Sequence, residues 1–335
     1  MPKLPHGLDL ATFQSARERL GRRVVDTPLL HLRSGVVAPG GGVDDRAVVT
    51  TPALDDRLPH DVWLKLECLQ VTGSFKARGA LNRVLSLSPE EVKRGIVTAS
   101  GGNHGLAVAY AGRAVGAPTT VYLPRLTPET KAKRVARWGA EVVRAGDVWD
   151  DAHAEALARA ERDGLTYVHP FADPEVVAGQ GTIALEIFDR APDVDALIIA
   201  IGGGGLMAGV GAAARLLRPS VRVIGVEPVG APTLHASLAA GEVVELPAIA
   251  TSAGTLAPRR SDPYTFEIVR AVADEIVLVT DDEMRAAARY LLDNVGVGVE
   301  LSGAAAVAAL LEGKARLAGA KRPCALVCGT GTDGR

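Results

Sequence analysis

One lysine, Lys76, stands where its amine could do covalent chemistry. It lies in residues 73–79, which read Gly-Ser-Phe-Lys-Ala-Arg-Gly and follow the apolar run 62–67. Gly73 and Ser74 can turn the chain and cap a following helix, whose first N–H groups and positive dipole end attract an anion. An amine beside an anion site suits a Schiff base with an aldehyde that also carries a phosphate. The same pattern is also that of a solvated lysine in the first turn of a helix.

A second loop, residues 99–105, offers groups that could hold a carboxylate. It reads Ala-Ser-Gly-Gly-Asn-His-Gly and follows a strand-like run. Small residues such as Ser100 and Gly101 let backbone N–H groups approach an anion, and Asn103 can hydrogen-bond an oxygen. The alternative is an ordinary strand-to-helix turn in which Ser100 or Asn103 caps the helix.

Four consecutive glycines, Gly202, Gly203, Gly204 and Gly205, follow the apolar run 196–201. Such a run loses much backbone entropy on folding, so it indicates a close approach of the backbone to a bound group. At a helix N-terminus that group is usually a phosphate. The sequence therefore predicts a phosphate site here.

The glycine run also allows a different class of function. Gly203, Gly205 and Ala208 satisfy G-x-G-x-x-A, and Glu227 ends the next strand-like run near the distance expected of a ribose-binding acid. A nicotinamide-dependent oxidoreductase is therefore an alternative. Two observations count against an oxidoreductase. That function would give Lys76 and Asn103 no role, and its glycine loop is expected at the start of the fold, whereas this one begins at residue 202.

The last loop, residues 327–333, holds Cys328 and Thr330. Both are neutral, weakly acidic hydrogen-bonding groups that could meet a pyridine nitrogen without protonating it. A buried structural thiol is the alternative for Cys328.

Strand-like and helix-like segments alternate along most of the chain and must position these loops. The predicted strands are residues 96–98, 120–123, 141–143, 166–168, 196–200, 221–226, 276–279 and 325–327. The predicted helices are residues 106–111, 128–138, 148–163, 175–188 and 210–217. Apolar, β-branched runs without strict alternation indicate strands covered on both faces, so we expect an α/β fold with parallel sheets. Ligands then bind at the carboxyl ends of the strands.

Composition limits the class of protein. The 335 residues are 47% hydrophobic and 23% charged, enough for two α/β lobes or one large domain. A net charge of −2 lacks the excess of positive charge that attracts nucleic acid or an anionic membrane, so small-molecule partners are expected. Cys68, Cys324 and Cys328 match neither a disulfide framework nor a zinc pattern, which favours a reducing, cytoplasmic setting. No segment has the pattern of a signal peptide or a membrane span.

Together these motifs resemble the pyridoxal-phosphate enzymes of fold type II, in the branch of the serine/threonine dehydratases (threonine ammonia-lyases) and serine racemases. Residues 74–79 are similar to the Schiff-base motif, residues 100–105 to the substrate-carboxylate loop, and residues 202–205 to the phosphate loop. They occur in the family order, and the similarity extends from about Thr27 to Asp333. Their joint occurrence at matching spacing is what makes the resemblance specific.

The resemblance implies a role for each candidate residue. Lys76 would hold pyridoxal 5'-phosphate and remove the Cα proton, Phe75 would pack on the ring, and Asn103 would bond the 3-hydroxyl. Cys328, or alternatively Thr330, would face the pyridine nitrogen. The phosphate would be held by Gly202, Gly203, Gly204 and Gly205, and the substrate by Ser100, Gly101, Asn103 and His104. The implied reaction is β-elimination of L-threonine, L-serine or a related amino acid to a 2-keto acid and ammonia. Racemisation and β-replacement are alternatives within the fold, and outside it the alternatives are the nicotinamide-dependent oxidoreductase and a non-catalytic ligand-binding relative.

The resemblance also implies an architecture. We expect two lobes, a small one of residues 95–172 inserted in a large one formed by residues 1–94 and 173–335, with the cofactor between them. A homodimer is the implied assembly. The insertion at residues 35–51 has no counterpart in the family pattern and is interpreted as a surface loop.

Three departures from the family pattern bear on chemistry. Glu227 and the Ala231 carbonyl match part of a divalent-cation site, but Thr233 stands where the second acidic ligand is expected, so the sequence predicts no metal requirement. Gly101 stands where racemases of the family carry a serine that returns a proton, so elimination is predicted without racemisation. Residues 251–257 lack the aspartate that several family members carry there, so the sequence does not determine which substrate side chain is recognised.

Overall fold

Two sheets form the framework of the computed structural model, which describes residues 4–33, 48–49, 58 and 61–331. The strands are β1 (Leu29–Arg33), β2 (Val48–Val49), β3 (Asp61–Lys65), β4 (Ile96–Ala99), β5 (Thr119–Leu123), β6 (Glu141–Arg144), β7 (Thr166–Tyr167), β8 (Ala196–Ala200), β9 (Arg222–Pro228), β10 (Glu275–Val279) and β11 (Pro323–Leu326). The helices are α1 (Leu10–Leu20), α2 (Lys76–Leu85), α3 (Pro89–Arg94), α4 (Asn103–Val115), α5 (Glu129–Ala136), α6 (Trp149–Asp163), α7 (Pro174–Arg190), α8 (Gly205–Leu217), α9 (Thr233–Ala240), α10 (Pro263–Val272), α11 (Asp281–Tyr290) and α12 (Leu301–Leu311).

The larger sheet has the strand order β10-β9-β8-β11-β3-β1-β2. Strands β10, β9, β8, β11 and β3 are mutually parallel, whereas β1 runs antiparallel to β3 and parallel to β2. Every residue of β8 is buried, as expected for an apolar run in a sheet covered on both faces. The parallel sheet predicted from the sequence is confirmed.

The smaller sheet, of order β6-β5-β4-β7, is parallel throughout. Leu106 of α4 and Val135 of α5 pack with Val121 on one face, while Ala152 and Ala156 of α6 pack on the other. All four strands come from residues 96–167, which supports the predicted insertion of residues 95–172 in a lobe made of residues 1–94 and 173–335. The boundaries themselves stay a prediction.

Most predicted segments appear where the periodicity placed them, with two differences. Helix α8 begins at Gly205 rather than at residue 210, so the glycine run enters the helix directly. The predicted insertion at residues 35–51 lies outside the described residues, apart from Val48 and Val49 of β2, which pair with β1. In the described part of the chain, no helix is both long and apolar enough to cross a bilayer.

A cluster of four charged side chains, three of them buried and the fourth nearly so, anchors the first turn of α2. The guanidinium of Arg78 donates to both Glu67 oxygens at 2.8 Å and to Glu186 at 2.5 and 2.8 Å. The Lys65 amine donates to Glu186 at 2.5 Å and to the Thr27 carbonyl at 2.9 Å. Two positive and two negative charges cancel, and the multiple hydrogen bonds offset the cost of burying them. The cluster therefore fixes the helix that begins at Lys76.

Candidate active site

Lys76 is the first residue of α2. Two short 3-10 turns, Glu67–Leu69 and Val71–Gly73, carry the chain from β3 to this helix. The prediction that Ser74 caps the helix is wrong: Phe75 is the N-cap residue, and no side chain there accepts a helix N–H. The Ser74 hydroxyl is instead buried without a hydrogen-bond partner among the described residues.

The Lys76 amine is held by a hydrogen bond to a backbone carbonyl and has an altered basicity. Its Nζ donates to the Pro170 carbonyl at 2.6 Å and lies 5.1 Å from the centre of the Phe75 ring. Burial lowers the pKa of this amine to about 8, against the opposing influence of Cys328 and Glu300. A measurable fraction of the amine is therefore uncharged near neutral pH, as a nucleophile or base requires.

The predicted carboxylate loop joins β4 to α4, as the sequence indicates. The Ser100 hydroxyl accepts the Gly102 N–H at 3.3 Å, and Asn103 is the first residue of α4. The N–H groups of a first helical turn have no intrahelical partners, so this loop presents donors to an anion. Gly101 lies within the loop, where an added Cβ would come 3.1 Å from a Thr127 methyl.

Glu300 and Thr255 complete the surroundings of Asn103, and sequence reasoning assigned neither a role. The Asn103 amide donates to a Glu300 oxygen at 2.7 Å, and the Thr255 hydroxyl donates to the same oxygen at 3.3 Å. Thr255 also bonds the Ser302 hydroxyl. Glu300 lies directly before α12, and none of the motifs described in the sequence includes it.

His104 is buried as an uncharged imidazole. Its Nε2 lies 2.9 Å from the Val168 carbonyl and can only donate to it, which leaves Nδ1 unprotonated and without a partner in the described part of the chain. Burial, and then the positive charge of Lys76, lower the pKa of His104 to about 3. A carboxylate contact through this side chain stays a prediction, but this tautomer offers no donor for it.

The glycine run forms the N-terminus of α8. Gly204 is the N-cap with φ of +96°, a conformation that residues with a Cβ rarely adopt. An added Cβ on Gly203 would lie 2.3 Å from the Phe171 ring, so only glycine fits that close approach. The hydroxyls of Ser261 and Thr265 hold the Gly203 carbonyl at 3.1 and 2.9 Å. The helix N-terminus is thereby presented to an anion.

The terminal loop brings Cys328 next to the lysine motif. The Phe75 N–H donates to the Cys328 carbonyl at 3.2 Å, and Ser74 pairs with Gly329 in an isolated bridge. The Cys328 thiol donates to the Ser302 carbonyl at 3.3 Å, and burial raises its pKa well above the usual range, so it stays neutral. The Thr330 hydroxyl is directed to the Gly298 carbonyl at 3.0 Å. The choice between them as the partner of a ring nitrogen stays a prediction.

The structure disfavours the dinucleotide interpretation of Glu227. Both carboxylate oxygens accept backbone N–H groups, from Leu234 and His235, each at 2.8 Å. Burial raises the pKa of this carboxyl to about 8, while the two donors act in the opposite direction. Its oxygens are thus committed to the start of α9 and are not presented to a ribose.

The same contacts bear on a cation at this strand end. Thr233, at the position of the missing acidic ligand, donates to the Pro258 carbonyl at 2.7 Å. Among the described residues, no group of three or more histidine, cysteine, aspartate or glutamate side chains could hold a metal ion. Independence of added metal stays a prediction.

The residues present fit pyridoxal phosphate. A buried amine of lowered pKa, a helix N-terminus that opens with glycines, and a neutral thiol lie around one site, and the Ser74 hydroxyl and His104 Nδ1 are polar atoms left without partners among the described residues. Native proteins seldom leave such atoms buried unless a ligand or water completes them.

Comparisons with known proteins agree with this chemistry. A family model described as pyridoxal-phosphate dependent enzyme matches residues 42–329. The chain is 39% identical over 319 residues to the L-threonine ammonia-lyase of Geobacter sulfurreducens, which covers 95% of this chain and 75% of the relative. It is 37% identical over 330 residues to the phenylserine dehydratase of Ralstonia pickettii, covering 97% and 94% of the two chains. Maize serine racemase has a similar structure, with a TM-score of 0.86 at 30% identity over 97% of this chain and 95% of that one.

Proposed function

Because the chain belongs to the pyridoxal-phosphate-dependent enzymes, of fold type II, we propose that it is an ammonia-lyase that eliminates water from a β-hydroxy amino acid. The products are a 2-keto acid and ammonia. Dehydratases of L-threonine and of phenylserine among the relatives support this reaction type. The observation that carries the proposal is the Lys76 amine of lowered pKa, hydrogen-bonded to the Pro170 carbonyl, whose neighbour Phe171 packs against the glycine run that opens α8.

Pyridoxal 5'-phosphate supplies an electron sink that makes the Cα proton of a bound amino acid removable. We assign the anchoring amine to Lys76, the phosphate to Gly202, Gly203, Gly204 and Gly205, and the face of the ring to Phe75. Asn103, fixed by Glu300, would bond the edge of the ring. Cys328 would meet the ring nitrogen as a neutral group, which would favour loss of a leaving group.

The remaining residues act on the amino acid. The N–H groups of residues 100–103 and the Ser100 hydroxyl bind its carboxylate. The Lys76 amine has a pKa of about 8, so above this pH it is mostly uncharged and can accept the Cα proton. The Cα–H and Cβ–O bonds break, and hydroxide leaves with a proton as water. The unsaturated amine that remains takes up water, which gives the keto acid and ammonia.

Borohydride trapping followed by peptide mapping tests the site. The labelled peptide should contain Lys76, and label on Lys65 or Lys131 instead would defeat the assignment. Lys76→Ala should fold and show no turnover, because the variant lacks both the attachment point and the base.

Product assays with L-threonine, L-serine and phenylserine test the reaction. At least one should yield keto acid and ammonia in equal amounts. Keto acid formation that requires an added nicotinamide cofactor would favour the oxidoreductase alternative, while a stable complex without turnover would favour a ligand-binding relative.

Assembly and location are also proposals. A homodimer is supported by the family resemblance, and light scattering of the purified protein measures it. A cytoplasmic location is supported by three buried, unpaired thiols, Cys68, Cys324 and Cys328.

A further inference from the structure

A short turn between β7 and α7 faces the Lys76 amine. Its Pro170 carbonyl is the acceptor of the Lys76 Nζ at 2.6 Å. The turn is fixed at its far end by Asp173, which caps α7 by accepting the Glu175 N–H at 2.8 Å and which also pairs with Arg83. The position of the amine therefore depends on the shape of this turn.

His169 determines that shape through one nitrogen. Its Nδ1 accepts the N–H groups of Phe171 at 3.2 Å and of Ala172 at 2.7 Å, while Pro170, which lies between His169 and Phe171, has no N–H to donate. An acceptor Nδ1 places the ring proton on Nε2. Burial, then His153 and Lys76, lower the pKa of His169 to about 4, so the acceptor persists at ordinary pH.

The same turn contacts the glycine run. The Phe171 ring stands edge-on to the His169 ring, with centroids 4.7 Å apart and planes at 83°. Phe171 then fills the space that a Cβ on Gly203 or Gly205 would need. One turn thus touches both the amine and the N-terminus of α8.

We propose that His169 is a positioning residue that, by accepting two backbone N–H groups, holds the Pro170 carbonyl against Lys76 and the Phe171 ring against the glycine run. It acts through the turn rather than through a hydrogen bond of its own to the amine. The inference rests on the proposed role of Lys76 as the amine that carries the cofactor.

The test compares His169→Asn with His169→Leu. Asparagine can accept N–H groups two and three residues ahead, as in an Asx turn, whereas leucine has a similar volume and no acceptor. Each apo protein is mixed with pyridoxal 5'-phosphate, and the rate constant of covalent attachment is followed by absorbance. We expect the leucine variant to be slower by roughly tenfold or more and the asparagine variant to stay within about threefold of wild type, since small misplacements of reacting groups cost this much.

Circular dichroism establishes that each variant is folded. Equal rates for the leucine variant and wild type would overturn the inference, and so would a folded asparagine variant as slow as the leucine one. If the leucine variant does not fold, the rate constant of the asparagine variant decides: a value within about threefold of wild type supports the inference, and a value roughly tenfold lower overturns it. Borohydride label that is absent from Lys76 in the wild type would defeat the proposed function instead, which keeps the two failures distinct.

Discussion

Lys76 combines burial with a titratable amine, which gives the fold a stability cost that depends on pH. Its pKa is lowered from 10.5 to about 8 in the folded chain. Below pH 8 the amine is charged in both the folded and unfolded states, and burial disfavours the folded one. As pH rises from 8 towards 10.5, the folded chain releases the proton first, so its stability rises.

Replacing Lys76 with methionine should therefore stabilise the apo protein most at low pH. The gain in free energy of unfolding is up to about 3 kcal/mol below pH 8 and shrinks towards pH 10, since each pKa unit corresponds to about 1.36 kcal/mol. Urea unfolding of both proteins across this range measures it. A gain that stays constant with pH would show that the amine is not the cause.

Gly101, at the position where the family resemblance implies a proton-returning serine in racemases, has no side chain that could donate a proton. Incubation with L-serine should therefore give pyruvate and ammonia with negligible D-serine, because racemisation needs a second acid to return a proton to Cα. Chiral chromatography beside the keto acid assay measures both products. D-serine that forms as fast as pyruvate would contradict this expectation.

The residues predicted from local motifs differ in kind from those that the motifs missed. Lys76, Asn103 and the glycines were predictable because each loop follows a strand and opens a helix. Glu300 and His169 were missed because their partners lie far away in sequence or are backbone groups: Glu300 meets Asn103 across 197 positions. The capping role predicted for Ser74 was wrong because Phe75 occupies that place.

Helix α8 depends on its glycines for a close contact, and a matched pair of substitutions can test this. Gly203→Ala places a Cβ 2.3 Å from the Phe171 ring, whereas Gly254→Ala, in the neighbouring loop, meets no atom within 4 Å. We expect the first to weaken binding of pyridoxal phosphate roughly tenfold or more, by displacing the loop from the phosphate, and the second to leave it unchanged.

Equilibrium dialysis of the two apo variants measures the dissociation constants. Wild-type affinity in the Gly203 variant would remove the glycine run from the phosphate site.

Helix α9 is tied to β9 by the Glu227 carboxyl, whose two oxygens accept the N–H groups of Leu234 and His235. Chelator should leave turnover unchanged, and magnesium or calcium should add nothing. Glu227→Gln should lower the free energy of unfolding by about 1–3 kcal/mol, because an amide NH₂ would face a backbone N–H. A reversible loss of turnover in chelator would refute the expectation.

At the scale of the whole molecule, the apolar runs predict the parallel strands, but they do not predict β1 and β2. Strand β1 reads Leu-Leu-His-Leu-Arg, a short mixed run that becomes a strand through its antiparallel pairing with β3. That pairing is tertiary, so no local pattern reveals it. The fold class was predictable from the sequence, whereas the full extent of the larger sheet was not.

The buried charge cluster behind Lys76 constrains how the protein can be made. Lys65, Glu67 and Arg78 are synthesised long before Glu186, and without Glu186 the buried cations Lys65 and Arg78 have a single buried carboxylate, Glu67, to balance them. We therefore expect the part of the larger sheet that packs on this cluster to close only after α7 has been synthesised. The strands of the smaller sheet, which end at Tyr167, precede α7 in the chain. The smaller sheet can thus form before α2, which carries the reactive amine, acquires its final packing.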